Sequence, residues 1–312
     1  MREEAGTKEP AGREQVASDW TTEESSFPSG DERCAATLYR VTGAERPTPC
    51  VVMAQGFTLT RWDGAPRYAE AFARAGVAGL TFDYRYFGDS TGEPRQLVDH
   101  VQQREDLAAA VAHARSIDGI DPDRVVLWGY SFGGGHVLHH AAEDPGVAAA
   151  ILHFPLVDGL ATTRYIGMRP ALRLTGAMLG ALLRRRLVQL PATGPPGSLA
   201  MLTKEEAAPG FEALRASGSR WRNEFLARPT QPIGAYRPVK VAGEVRCPLL
   251  ACLGEHDTIV PGAPIARAAE RAPRGELRRY DLAHFDPFLG GFDDVLADQV
   301  EFLSRHVGST DR

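Results

Sequence analysis

The pentad Gly129-Tyr130-Ser131-Phe132-Gly133 follows the apolar run Val125-Val126-Leu127-Trp128 and leads into a helix-like stretch from His136 to Glu143. A strand, a G-x-S-x-G turn and a helix in that order lift a serine hydroxyl above the end of a sheet, where it can attack an acyl carbon. Glycine is needed at 129 and 133 because a side chain would clash across so tight a turn. The same pattern recurs at Gly88-Asp89-Ser90-Thr91-Gly92. There the polar Asp83-Tyr84-Arg85 precedes it and Glu93-Pro94 follows, so Ser90 is expected to be a turn serine.

A serine hydroxyl is a weak nucleophile at neutral pH. It needs a base within hydrogen-bond reach and a carboxylate that holds the base in the right tautomer. In this kind of turn the partners follow in the order acid, then histidine. Asp257 and His284 fit, each just past the carboxyl end of a predicted core strand, where sites on open α/β sheets form. Glu255 and Asp158 are rival acids. Charge developing on the substrate carbonyl requires fixed donors, assigned to the backbone N–H groups of Phe132, after the nucleophile, and Phe57, after the third strand. His136, His139 and His140 share helical spacing but lack an acidic or cysteine ligand set, so they read as helix surface and packing, and no metal site is expected. His153 and His256 lie near the sheet rim as candidate pocket residues.

The elements that must position these groups alternate. Thr21–Phe27 and Cys34–Val41 read as an antiparallel hairpin turned at Pro28-Ser29-Gly30-Asp31. Strands are predicted over Cys50–Ala54, Val77–Phe82, Val125–Tyr130, Val147–Phe154, Pro248–Leu253 and Glu276–Tyr280, the first two of them buried. Helices are predicted over Ala65–Ala75, Leu97–Ser116, His136–Glu143, Ala263–Arg271 and Asp293–Val307. Strands alternating with helices imply an α/β fold with a doubly wound, mainly parallel sheet and flanking helices. The stretch between the strands ending at Phe154 and beginning at Pro248 is too long for a connection. Residues 160–245 therefore read as an inserted helical lid, with helices over Ala171–Leu187 and within Lys204–Leu226. The core is 21–159 and 246–312, and residues 1–20 are a flexible tail. Substrate choice is assigned to Tyr165, Met168, Trp221 and Phe225 of the lid, with Gln55 and Tyr130 as further candidate substrate contacts.

The 312 residues carry a formal net charge of -5, so nothing draws the chain toward nucleic acid or anionic membrane. Cys34, Cys50, Cys247 and Cys252 form no C-x-x-C pair, and the N-terminus has no apolar leader-like run, so a cytoplasmic protein with reduced thiols is expected. The charge-free run 126–142 contains the turn and several glycines and histidines, and reads as strand plus helix rather than a membrane span.

From about Thr21 to Val307 the chain resembles the α/β-hydrolase superfamily, particularly its dienelactone hydrolase-like and acyl-peptidase-like bacterial branch. The resemblance rests on Gln55-Gly56-Phe57, Asp83-Tyr84-Arg85-Tyr86-Phe87-Gly88-Asp89-Ser90, Gly129-Tyr130-Ser131-Phe132-Gly133, Gly254-Glu255-His256-Asp257 and Ala283-His284-Phe285. Gln55 stands where relatives usually carry histidine, and Tyr86 where a glycine is common. Gln55 cannot titrate, so amide hydrogen bonds are expected to hold its loop. The reading is a serine hydrolase cleaving an ester or thioester through an acyl-enzyme, without metal or organic cofactor. Its partner is a small-molecule acyl substrate, and a homodimer is left open. A non-hydrolytic tailoring enzyme of a natural-product pathway is the alternative, and a non-catalytic binding protein the third reading.

Overall fold

The computed structural model describes residues 19–308, so all but the last two residues of the expected tail lie outside the described residues. The described chain opens with the antiparallel hairpin β1 (Trp20–Ser29) and β2 (Glu32–Val41), turned at Gly30, whose φ of 58° suits glycine. Then come β3 (Thr48–Ala54), α1 (Ala65–Arg74), β4 (Ala78–Phe82), β5 (Leu97–Val98), α2 (His100–Ser116), β6 (Ile120–Tyr130), α3 (Phe132–Glu143) and β7 (Ala149–His153). The intervening segment holds α4 (Gly159–Ile166), α5 (Met168–Leu183), β8 (Val188–Leu190), α6 (Ala207–Leu214) and β9 (Phe225–Ala227). β10 (Leu249–Gly254), α7 (Gly262–Arg271), β11 (Gly275–Tyr280) and α8 (Phe292–Val307) complete the chain.

The main sheet has eight strands in the order β1-β2-β4-β3-β6-β7-β10-β11. All neighbours from β4 to β11 are parallel, while β2 runs antiparallel to both β1 and β4. Every residue of β3, β4, β7 and β10 is buried, as their mostly apolar sequences require of strands covered on both faces. Edge strand β11 alternates polar residues and is only half covered. Because β3, β6, β10 and β11 are parallel, their carboxyl ends open on one edge, and Phe57, Ser131, Asp257 and His284 all follow those ends.

Three expectations about elements change. Leu97 and Val98 do not begin α2. They form β5, which pairs with β9 of the inserted segment, and the helix starts only after Asp99, whose carboxylate accepts from the N–H groups of Val101 and Gln102. A short strand buried on one side and a helical turn share the same apolar spacing, which is why the two are hard to separate in sequence. Within Lys204–Leu226 only Ala207–Leu214 is helical, and Phe225 belongs to β9, which pairs antiparallel with β8. Pro238–Glu244 forms a 3-10 helix packed on α3 and α7, with Val239, Ala242 and Val245 in the main core. All four cysteines are buried and free, and no helix of the described residues is long and apolar enough to cross a membrane.

Candidate active site

Ser131 joins β6 to α3 with φ 51° and ψ −114°, a conformation that side-chain-bearing residues rarely adopt. The turn is fixed from both sides. The Ser131 N–H donates to His153 O at 3.1 Å, and its carbonyl accepts from Gly134 and Leu156 at 3.0 and 2.7 Å. A Cβ on Gly129 would sit 2.6 Å from Gly133 O, and one on Gly133 would sit 2.4 Å from the carbonyl oxygens of Ala54 and Gln55. This close approach seats the start of α3 on the loop after β3. Phe132 and Phe57 are thereby neighbours, their ring centroids 6.1 Å apart. Phe132 is the first residue of α3, so its N–H has no acceptor within the helix.

His284, after β11, reaches back over the elbow. Its Nε2 lies 3.0 Å from Ser131 Oγ and its Nδ1 lies 2.6 Å from Asp257 Oδ2. An ionised carboxylate only accepts, so Nδ1 carries the proton and Nε2 is free to accept the serine hydroxyl. The other Asp257 oxygen accepts from the N–H groups of Ile259 and Val260, each at 2.8 Å. One carboxylate thus caps its own turn and orients the ring. The rival acids are engaged elsewhere: Asp158 caps α4 and pairs with Arg237 at 2.8 Å, and Glu255 pairs with Arg279 at 3.0 Å. Ser90 is a turn serine, donating to Asp83 O and accepting from Ala35 N–H.

Two supporting contacts carried no sequence signal. Glu206, at the entry to α6, accepts from the His284 N–H at 3.3 Å and from the Thr258 N–H at 3.0 Å, with the Thr258 hydroxyl on the same carboxylate. In sequence it is part of a charged run, Lys204-Glu205-Glu206, of the kind that normally faces solvent. Tyr165 OH donates to Asp257 O at 2.9 Å.

The candidate substrate contacts separate into different places. Tyr130 is only 2% exposed, and its hydroxyl donates to His284 O at 3.2 Å, so it props the histidine loop from below instead of meeting ligand. Trp221 donates from its indole to Thr58 Oγ1 and lines a polar cavity with Arg95, Arg220 and Arg222. Phe225 packs on Phe57 at 5.0 Å between centroids and lines an apolar cavity beneath α5. The Met168 side chain lies outside the described residues. Gln55 is buried, yet its Nε2 has no hydrogen-bond partner among the described residues, so that group does not supply the amide bonds expected to hold the loop. Tyr86, which stands where a glycine is common, has φ 74°, in the left-handed region that glycine favours.

The other histidines are structural or exposed. His153 is fully buried, stacks on Trp128 and bonds Gln299, and burial holds its imidazole well below the ordinary range. His136 is likewise buried against Tyr236 OH at 2.6 Å, while His139 and His140 face Glu143 and Asp144 on α3. His256 is exposed and pairs with Asp281.

An elbow serine, a histidine and an acid at the carboxyl ends of strands on one side of this sheet define an α/β hydrolase. Residues 45–285 match the family described as serine aminopeptidase, S33, and the chain belongs to that family. It is 42% identical over 286 residues to the quorum-quenching protein AidA of Acinetobacter baumannii, covering 90% of this chain and 94% of AidA. It is 40% identical over 274 residues to the thiohydrolase aneE of Aspergillus aculeatus, covering 82% and 85% of the two chains. The crystal structure of the α/β hydrolase GrgF from Penicillium superposes with a TM-score of 0.76 at 26% identity, over 93% of this chain and all of GrgF.

Proposed function

We propose that the protein is a serine hydrolase that cleaves a carboxylic ester or thioester through an acyl-enzyme on Ser131. The observation that carries this reading is the continuous relay from Asp257 through His284 to the Ser131 hydroxyl, at 2.6 and 3.0 Å. Ser131 Oγ attacks the acyl carbon as His284 Nε2 takes its proton, and the Phe57 and Phe132 amides receive the charge on the carbonyl oxygen. Collapse breaks the bond to the alcohol or thiol, which leaves with the proton from His284. Water, deprotonated by the same nitrogen, then releases the acid and restores the serine. The part of the inserted segment from α4 to β9 serves as the lid over this step, while Pro238–Glu244 packs with the core. The name of the relative aneE, a thiohydrolase, favours a thioester over a simple ester.

Acyl transfer is the second reading, favoured by the name of another relative at 27% identity, the polyketide transferase grgF. It shares the acyl-enzyme and differs only in the acceptor. The test is turnover of acyl-N-acetylcysteamine thioesters and p-nitrophenyl esters in ¹⁸O-labelled water, with Ser131→Ala alongside. The expected result is free acid carrying one solvent oxygen and loss of at least about 10⁴-fold of the rate in the variant. Equal turnover by wild type and variant would overturn the proposal, and acyl products on an added alcohol or amine without labelled acid would replace hydrolysis by transfer.

A further inference from the structure

A half-open cavity of about 360 Å³ lies within the inserted segment, lined by α4, α5, β8, β9 and the Pro229–Gly234 loop. Its wall is apolar: Ile166, Met178, Leu190, Met201, Phe225 and Ile233 line it, and among the described residues Thr163 and Thr175 are its only polar side chains. Leu179 and Leu182 of α5 also border it while remaining about half exposed, at 56% and 48%. Its wall leads toward the catalytic centre through packed aromatic rings. Phe225 in its wall meets Phe57 at 5.0 Å, and Phe57 meets Phe132, the residue next to Ser131, at 6.1 Å.

We infer that this cavity holds the acyl chain of the substrate, an unbranched apolar chain of medium length, with the Phe57 ring standing at the entrance between chain and reacting carbonyl. The inference rests on the hydrolase reading above and adds the substrate class to it. A sugar, peptide or charged acyl group would lose its water with only two threonine hydroxyls to compensate. An aliphatic chain loses nothing polar, and flexible Met178 and Met201 can close on it. At about 30 Å³ for each small group, the volume accommodates roughly eight to twelve carbons. The polar cavity beside Trp221, whose indole bonds Thr58, is lined by three arginines, and that charged lining does not suit such a chain.

The test is a chain-length series of acyl-N-acetylcysteamine thioesters from C2 to C16, measured with wild type, Met178→Trp and Met201→Trp, the two variants placing an indole on different walls. In wild type, kcat/KM should rise about fourfold per methylene up to C8–C12 and fall by C16. Each tryptophan should lower the C10-to-C2 ratio of kcat/KM by at least about 30-fold. Binding of 11-(dansylamino)undecanoic acid to the Ser131→Ala protein gives a readout independent of turnover, and Met178→Trp added to it should weaken binding at least about tenfold. Turnover with a flat chain-length profile, or ratios unchanged in both folded variants, would overturn the acyl site while leaving the hydrolase reading standing. Fatty-chain binding that Met178→Trp weakens, with no turnover of any thioester or ester, would keep the cavity assignment and remove the hydrolase reading. Absence of binding together with absence of selectivity would remove the site.

Discussion

Between His284 Nδ1 and Asp257 Oδ2 the separation is 2.6 Å, and that contact decides which imidazole nitrogen faces the serine. Replacing Asp257 with asparagine keeps an acceptor for the Ile259 and Val260 N–H groups but turns an amide toward the ring, favouring the tautomer that protonates Nε2. Asp257→Asn should therefore fold with near wild-type thermal stability and lose about 10⁴-fold in kcat, the scale of tautomer loss in such relays. A loss below about tenfold, with an unchanged melt, would contradict the role given to this carboxylate. The three residues could be proposed from sequence because each lies just past the carboxyl end of a core strand, in a fixed order. Asp257 and Asp158 could not be separated that way, since both follow strands, and only the Arg237 pairing and the α4 cap distinguish them. Tyr130, next to the nucleophile in sequence, is buried with its hydroxyl on His284 O, a placement that follows from the turn and not from residue type.

At the scale of elements, the entry to α6 ties the inserted segment to the two loops that carry acid and base. Glu206 spans the His284 N–H and the Thr258 N–H and hydroxyl, so a residue of the inserted segment sets the spacing of Asp257 and His284. Glu206→Ala should lower kcat about tenfold or more with KM for short substrates changed little, because a small displacement of a base is costly to rate. Partial recovery in Glu206→Gln, which retains one carbonyl acceptor, separates this positioning from general destabilisation; equal kcat in Glu206→Ala and wild type would contradict it. Such a contact joins residues far apart in the chain through backbone groups, and backbone acceptor demand leaves no mark on residue type. The same reason hid β5. Leu97 and Val98 are strand because β9 supplies their partner, whereas β3, β4, β7 and β10 announce themselves by apolar runs that need covering on both faces.

For the whole molecule, acid stability is set in part by imidazoles shut inside the fold. Burial pushes His136 well below its ordinary value, so below about pH 6.5 the unfolded chain binds a proton that the folded chain refuses. Its contribution is complete above about pH 6.5 and falls as the pH drops, by up to about 1.4 kcal/mol per pH unit. His153 acts with the same sign, while Asp83 and Asp106, raised by burial, act with the opposite one. Comparing wild type with His136→Gln by urea unfolding isolates one of these groups. The stability gap between them should shrink by roughly 2 kcal/mol between pH 6.5 and pH 5, and a pH-independent gap would show that His136 takes up a proton without unfolding. The fold as a whole exists to bring three strand ends to one rim, and its central claim is that Ser131 is an activated nucleophile there. The most direct measurement is labelling of the full chain with a fluorophosphonate, with the modified peptide located by mass spectrometry and Ser131→Ala as control. The account predicts one phosphonylated residue, Ser131, with labelling absent in the variant and strongly slowed in Asp257→Asn. Labelling that persists in Ser131→Ala, or that is absent from a folded wild-type protein, would contradict it.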